Sequence, residues 1–155
     1  MKPLFRGMGP LTALAFLAVA GVLAYIRLAP SDAALWHIDP TTSTDATPPP
    51  CEITRSVDRA RAACLFPEAA PAALLTRLDA IALATPRTRR LAGSAAEGRI
   101  TWVTRSRLMG FPDYTTAQAT QTPQGTRLDL FARLRFGGAD NGVNAARLDT
   151  WLPQL

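Results

Sequence analysis

The chain has 155 residues, 48% of them apolar, with one histidine and two cysteines. That inventory is too small for a Cys/His zinc site, and His37 lies too near the N-terminal apolar run to serve a Ser-His-Asp triad. The net charge of +5 does not indicate nucleic-acid binding: Lys2, Arg6 and Arg27 flank the apolar run, and from Leu28 onward 14 Arg face 12 Asp and Glu. Phosphate-backbone binding needs a more one-sided basic stripe.

Gly7 to Ile26 gives 20 residues without a charge. At 1.5 Å per residue, about 20 helical residues cross the roughly 30 Å hydrocarbon core of a bilayer. Lys2 and Arg6 precede the run, while Asp32 and Asp39 follow Arg27. The positive-inside bias then places the N-terminus in the cytoplasm and residues 28–155 in the periplasm, on a single pass through the inner membrane. Ala18, Val19 and Ala20 also resemble a signal-peptidase site. Apolar character continues past them to Ile26, which favours an uncleaved signal anchor over residues 1–27.

Residues 28–50 read as a Pro- and Thr-rich linker, with Trp36 at the bilayer interface or on the domain surface. Pro48 to Pro50 favour an extended polyproline segment that spaces the domain from the membrane. Cys51 and Cys64 open the exported domain, residues 51–155. In an oxidising compartment such a pair is expected to form a disulfide, for which the chain-entropy model gives about 3 kcal/mol.

Pro71 suits the first turn of a helix. Leu74, Leu75, Leu78, Ile81 and Ala82 then form one apolar stripe, with Arg77 and Asp79 off it and Pro86 ending the helix. Beyond it the period changes to two. A weaker strand near Arg89 to Ala95 turns at Glu97 and Gly98 into a strand from Arg99 to Leu108. Gly110 to Asp113 make a turn or bulge, Tyr114 to Thr122 a Thr-rich strand, and Pro123 to Gly125 another turn. In the last strand Leu128, Leu130, Ala132, Leu134 and Phe136 face the core, while Asp129, Phe131, Arg133 and Arg135 face away. Asp140 or Asn141 caps a final helix that packs through Val143, Leu148, Trp151 and Leu152. The expected fold is α+β: a four-stranded antiparallel sheet in the order α-β-β-β-β-α, helices on one face, preceded by one transmembrane helix.

Two arginine pairs stand out, Arg105 with Arg107 and Arg133 with Arg135. A simple meander separates them by one strand, about 10 Å, giving four guanidinium forks suited to phosphate or carboxylate. The same arginines also read as a solvated face paired with Asp113, Asp129 or Asp140. Gly137, Gly138 and Gly142 surround Asp140 where free N–H groups favour anions; a capped strand-to-helix turn fits the same residues. HExxH, CxxC and GxSxG motifs are absent, so no catalytic residue, metal site or cofactor is assigned.

Arg105, Ser106 and Arg107, then Phe111 to Asp113, then Arg133, Arg135, Phe136, Gly137, Asp140, Gly142, Val143, Asn144 and Arg147 carry a family pattern. With it, the chain resembles the bacterial domain-of-unknown-function family 1499. The lead-in of Leu28 to Ser31 and Trp36 to Pro40 looks like its membrane-anchored alphaproteobacterial branch. The sequence departs from the family pattern at Leu134, Ala139 and Asn141. The resemblance implies an envelope domain and no established activity. The candidate anion site therefore comprises Arg105, Arg107, Arg133, Arg135, Asp140, Asn144 and Arg147. The expected partners are the inner membrane, through residues 7–26, and an envelope protein or an anionic or lipid ligand. The leading reading is a non-enzymatic binding module. The alternatives are a carrier with an apolar cavity under the last helix and a hydrolase using Asp113 and Asp140.

Overall fold

The computed structural model describes residues 9–41 and 51–155. The basic residues Lys2 and Arg6 and the polyproline stretch Pro48 to Pro50 lie outside the described residues. Helix α1 spans Pro10–Leu28 and stops before Pro30, which disfavours helical backbone in the residue ahead of it. It is long and apolar enough to cross a membrane, with a mean hydropathy of 2.0 and only 6% of that window covered by protein. A short helix α2, Ala33–Trp36, follows, its first turn held by the Asp32 carboxylate accepting from the Ala34 amide.

The remaining elements are β1 (Ile53–Arg55), β2 (Arg59–Phe66), α3 (Pro71–Ala84), β3 (Thr88–Ser94), β4 (Arg99–Arg105), β5 (Pro112–Thr122), β6 (Gly125–Leu134) and α4 (Val143–Trp151), closed by a 3-10 turn at Leu152–Gln154. All strand pairings are antiparallel, in the order β1-β2-β6-β5-β4-β3. The α+β class and the β3 to β6 meander are as expected, but the sheet has six strands rather than four. The two missed strands carry weak signals. In β2, Arg59 and Arg61 alternate with Ala60 and Ala62, and alanine has little strand preference and little apolar area.

Both domain helices cover one face. After β2 the chain crosses that face through α3, which packs over β3, β4 and β5, while α4 packs over β1, β2 and β6. Leu75, Leu78, Ile100, Trp102, Leu128, Leu148 and Trp151 are buried between them. Ala60, Ala62 and Ala132 are small enough to let α4 approach the sheet closely. Asp79, expected off the α3 stripe, is instead buried, because it accepts from Trp102 Nε1 at 2.8 Å and pairs with Arg90.

Two further expectations change at the sheet end nearest α1. Strand β4 stops at Arg105, since Ser106 bonds Phe111 through both its amide and its hydroxyl and closes a turn. Leu108 therefore points outward, 80% exposed, instead of continuing the strand. Phe136, beyond the end of β6, leaves the core and packs against Tyr25 of α1 and Phe111.

Cys51 and Cys64 are joined, tying the chain ahead of β1 to the buried face of β2. Replacing both with serine is expected to lower stability by about 2–4 kcal/mol. Urea unfolding of the intact chain checks it, and an unchanged midpoint would mean the link adds nothing.

The segment from Ala29 to Thr41, expected as part of a spacer, lies across the second face of the sheet. Trp36 stacks on Tyr114 with centroids 3.9 Å apart, and His37 Nδ1 bonds Thr101 Oγ1 at 2.9 Å. Gly93 makes room for it: with φ +82, a Cβ there would sit 2.7 Å from the His37 ring and 2.1 Å from the Arg99 carbonyl oxygen. This strap fixes the domain directly to the end of α1.

Candidate functional site

Strand alternation puts Arg61, Arg133, Arg135 and Arg105 on the strap face, and β5 does lie between the β4 and β6 arginines. Three donate to carbonyls of the strap, Arg135 to Pro30, Arg133 to Trp36 and Arg61 to Pro40, while Arg105 reaches the Ile26 carbonyl in the last turns of α1. Arg133 is also sandwiched by rings, its guanidinium 4.6 Å from the centroid of Phe131 and 5.1 Å from that of Trp36. Burial pushes its pKa down to about 10, with Arg61 adding repulsion. Arg133 Nη2 is held by the Trp36 carbonyl and the guanidinium face by the rings. Arg133 and Arg135 each hold a strap carbonyl, and Arg133 Nη1 is buried without a hydrogen-bond partner among the described residues.

The C-terminal motif gathers on the opposite face. Asn141 and Gly142 both take positive φ, 51 and 80, turning the chain into α4. Asp140 then accepts from the amides of Gly142 at 2.8 Å and Asn144 at 3.1 Å. Its carboxylate therefore occupies the N–H groups that a phosphate would need. One turn on, Arg147 donates to Asn144 Oδ1 at 2.6 Å and to Asp113 Oδ2 at 3.3 Å. Burial raises the Asp113 pKa, opposed by Arg147 and assisted by Asp140, and burial also lowers that of Arg147. The buried Arg147 thus pairs with the half-buried Asp113 under α4. The residue capping α4 is Gly142 rather than Asp140 or Asn141, and Asp140 holds two amides at the helix start from two residues ahead of that cap. Leu148, Trp151 and Ala145 fill the space between α4 and the sheet.

The structure consequently divides the seven expected residues among three places. Arg133 and Arg135 hold the strap, and Asp140, Asn144 and Arg147 build the β6–α4 junction. Arg105 and Arg107 go elsewhere. They line an open cleft of about 530 Å³ with Arg27 from the end of α1 and Arg87 and Arg89 from the start of β3. Thr88, Val103, Ser106 and Gly110 complete the lining, which holds no carboxylate among the described residues. Gly110, at φ +74, lets α1 close one side, since a Cβ there would fall 2.9 Å from Arg27 Cγ. Arg27 Nη2 bonds the Leu108 carbonyl at 2.7 Å, Arg105 Nη1 the Gly110 carbonyl at 2.8 Å, and Arg87 Nε the Arg105 carbonyl at 3.1 Å. Each of these bonds engages a single nitrogen of its guanidinium, which carries five N–H donors. Arg89 and Arg107 are exposed and take part in none of the ion pairs formed among the described residues.

Arg27, Arg87 and Arg89 were not among the sequence candidates. Arg87, Arg89 and Arg90 are close together in the chain, yet nothing local distinguishes them from a solvated strand end. Their convergence with Arg27 and Arg107 depends on pairing across β3 and β4 and on where α1 docks.

A family model described as a protein of unknown function (DUF1499) matches residues 41–155. No curated protein matches the sequence. Among solved structures, the crystal structure of a Rhodobacter sphaeroides protein is similar at 14% identity, covering 66% of this chain and 93% of its own, with a TM-score of 0.36.

Proposed function

This chain belongs to the DUF1499 family, and we propose that it is a membrane-anchored, non-enzymatic module that binds an anion in the arginine cleft. The observation that carries the reading is the convergence of Arg27, Arg87, Arg89, Arg105 and Arg107 on one opening that no carboxylate of the described residues lines. Such a cluster repels itself unless an anion is present, and planar forked donors suit phosphate and carboxylate oxygens. Attachment through α1 is supported by its length and its uncovered apolar surface. A domain on the periplasmic side is supported by Lys2 and Arg6 ahead of the helix and by the disulfide, which persists in oxidising compartments.

The test uses the intact chain purified in a neutral detergent, with inorganic phosphate as the probe in calorimetry. Replacing both Arg89 and Arg107 with alanine is expected to weaken phosphate binding at least about tenfold, roughly 1.4 kcal/mol. The thermal midpoint should barely move, because exposed side chains with no protein partner contribute within about 0.5 kcal/mol. Equal phosphate binding by the variant and the parent would remove the cleft as the site. Release of the chain from membranes by alkaline carbonate would separately refute the anchor.

A further inference from the structure

The turn of residues 106–111 has two sides. Ser106, Arg107 and Gly110 line the arginine cleft. Met109 and Phe111, alternating with them, line a second depression of about 310 Å³ whose other wall is α1. That wall is formed by Val19, Val22, Leu23 and Ile26, at i, i+3, i+4 and i+7, which is a single helical stripe. The charged cleft and the apolar groove thus adjoin, Gly110 of one lying between Met109 and Phe111 of the other, and Arg27 and Ile26 bring both to the end of the same apolar helix.

The geometry points to one composite site for an anionic glycerophospholipid, its phosphodiester headgroup in the arginine cleft and an acyl chain along the groove on α1. The inference rests on the membrane-anchor reading above and names the ligand of that same cleft. A free anion accounts for the arginines alone. It leaves unexplained why an apolar groove adjoins the cleft on the same turn and helix end, and why Leu108 and Met109 stand 80% and 44% exposed. An exposed apolar turn beside a membrane-spanning helix is at home among lipid chains, with arginines snorkelling to the headgroup level above it.

Charge selects among lipids. A zwitterionic choline headgroup would bring a quaternary ammonium into a ring of five guanidiniums, and like charges at such range are unfavourable. A glycerol headgroup adds no cation and brings hydroxyls that can accept from the free N–H groups. The site therefore favours phosphatidylglycerol-type lipids over phosphatidylcholine, and both over no lipid.

Native mass spectrometry of the intact chain released from nanodiscs, containing phosphatidylglycerol and phosphatidylcholine in equal amounts, tests this directly. The expected result is one phosphatidylglycerol retained per chain, at least about tenfold over phosphatidylcholine. Arg89→Glu with Arg107→Glu is expected to abolish that preference. Val22→Trp, which fills the groove from the helix side, should release the lipid and leave inorganic phosphate binding unchanged. Far-ultraviolet circular dichroism confirms that each variant is folded before it is scored. Equal retention of the two lipids overturns the inference, as does loss of phosphate binding and lipid together in Val22→Trp. Phosphate binding without any retained lipid also overturns it while sparing the anion-site reading. Failure of the parent chain to stay in the membrane removes this inference together with the anchor reading.

Discussion

Arg147→Ala is expected to cost the domain about 3–5 kcal/mol, because it leaves the half-buried Asp113 carboxylate without its partner. Arg147 is 9% exposed and joins Asp113 on β5 to Asn144 on α4. The loss therefore falls on the contact that seats the last helix. In a chain of this size a change of that magnitude lowers the thermal midpoint by roughly 6–20 °C. The paired variant Arg147→Met with Asp113→Leu should recover most of it, since removing both charges removes the desolvation that neither can then offset. Tryptophan fluorescence during urea unfolding of the intact chain reads both variants. If Arg147→Ala leaves the midpoint where it was, the pair is solvated and its role must be sought in binding.

The second large effect is expected at Trp102. It is fully buried, stands edge-on to Trp151 at 5.7 Å, and donates to Asp79 of α3. One side chain thereby links β4 to both domain helices. Trp102→Ala should lower stability by about 3–5 kcal/mol through lost burial and the cavity left behind. Trp102→Phe keeps most of the volume and loses the bond to Asp79, which retains Arg90, so about 1–2 kcal/mol is expected. Near-equal losses in the two variants would show that the hydrogen bond, and not the packing, holds α3 in place.

These effects bear on how the family pattern should be read. Arg147, Asn144 and Asp140 look like site residues in the sequence because polar side chains cluster around glycines before a helix. In the fold Asp140 holds two backbone amides and Arg147 holds Asn144 and Asp113, while Asn144 Nδ2 is buried without a partner among the described residues. The stability of Arg147 variants and the ligand binding of Arg107 variants should therefore separate cleanly, one kind of arginine holding the fold and the other facing the cleft.

What the sequence determined by itself is what depends on near neighbours. The apolar run of α1, the stripe and flanking prolines of α3, and the two-residue alternation of β4, β5 and β6 are all legible because period and propensity act over a few residues. The alternation in β2 is equally local, but its inward side chains are alanines and its signal stayed faint. The use of each arginine was a different matter. The carbonyls held by Arg105, Arg133 and Arg135 lie 79, 97 and 105 residues away along the chain. Arg27 and Arg107 likewise meet only because α1 docks against the turn at Gly110. A guanidinium carries the same charge and the same five donors wherever it stands. Whether it grips backbone, balances a buried carboxylate or faces an open cleft is set by which surfaces the tertiary fold brings against it.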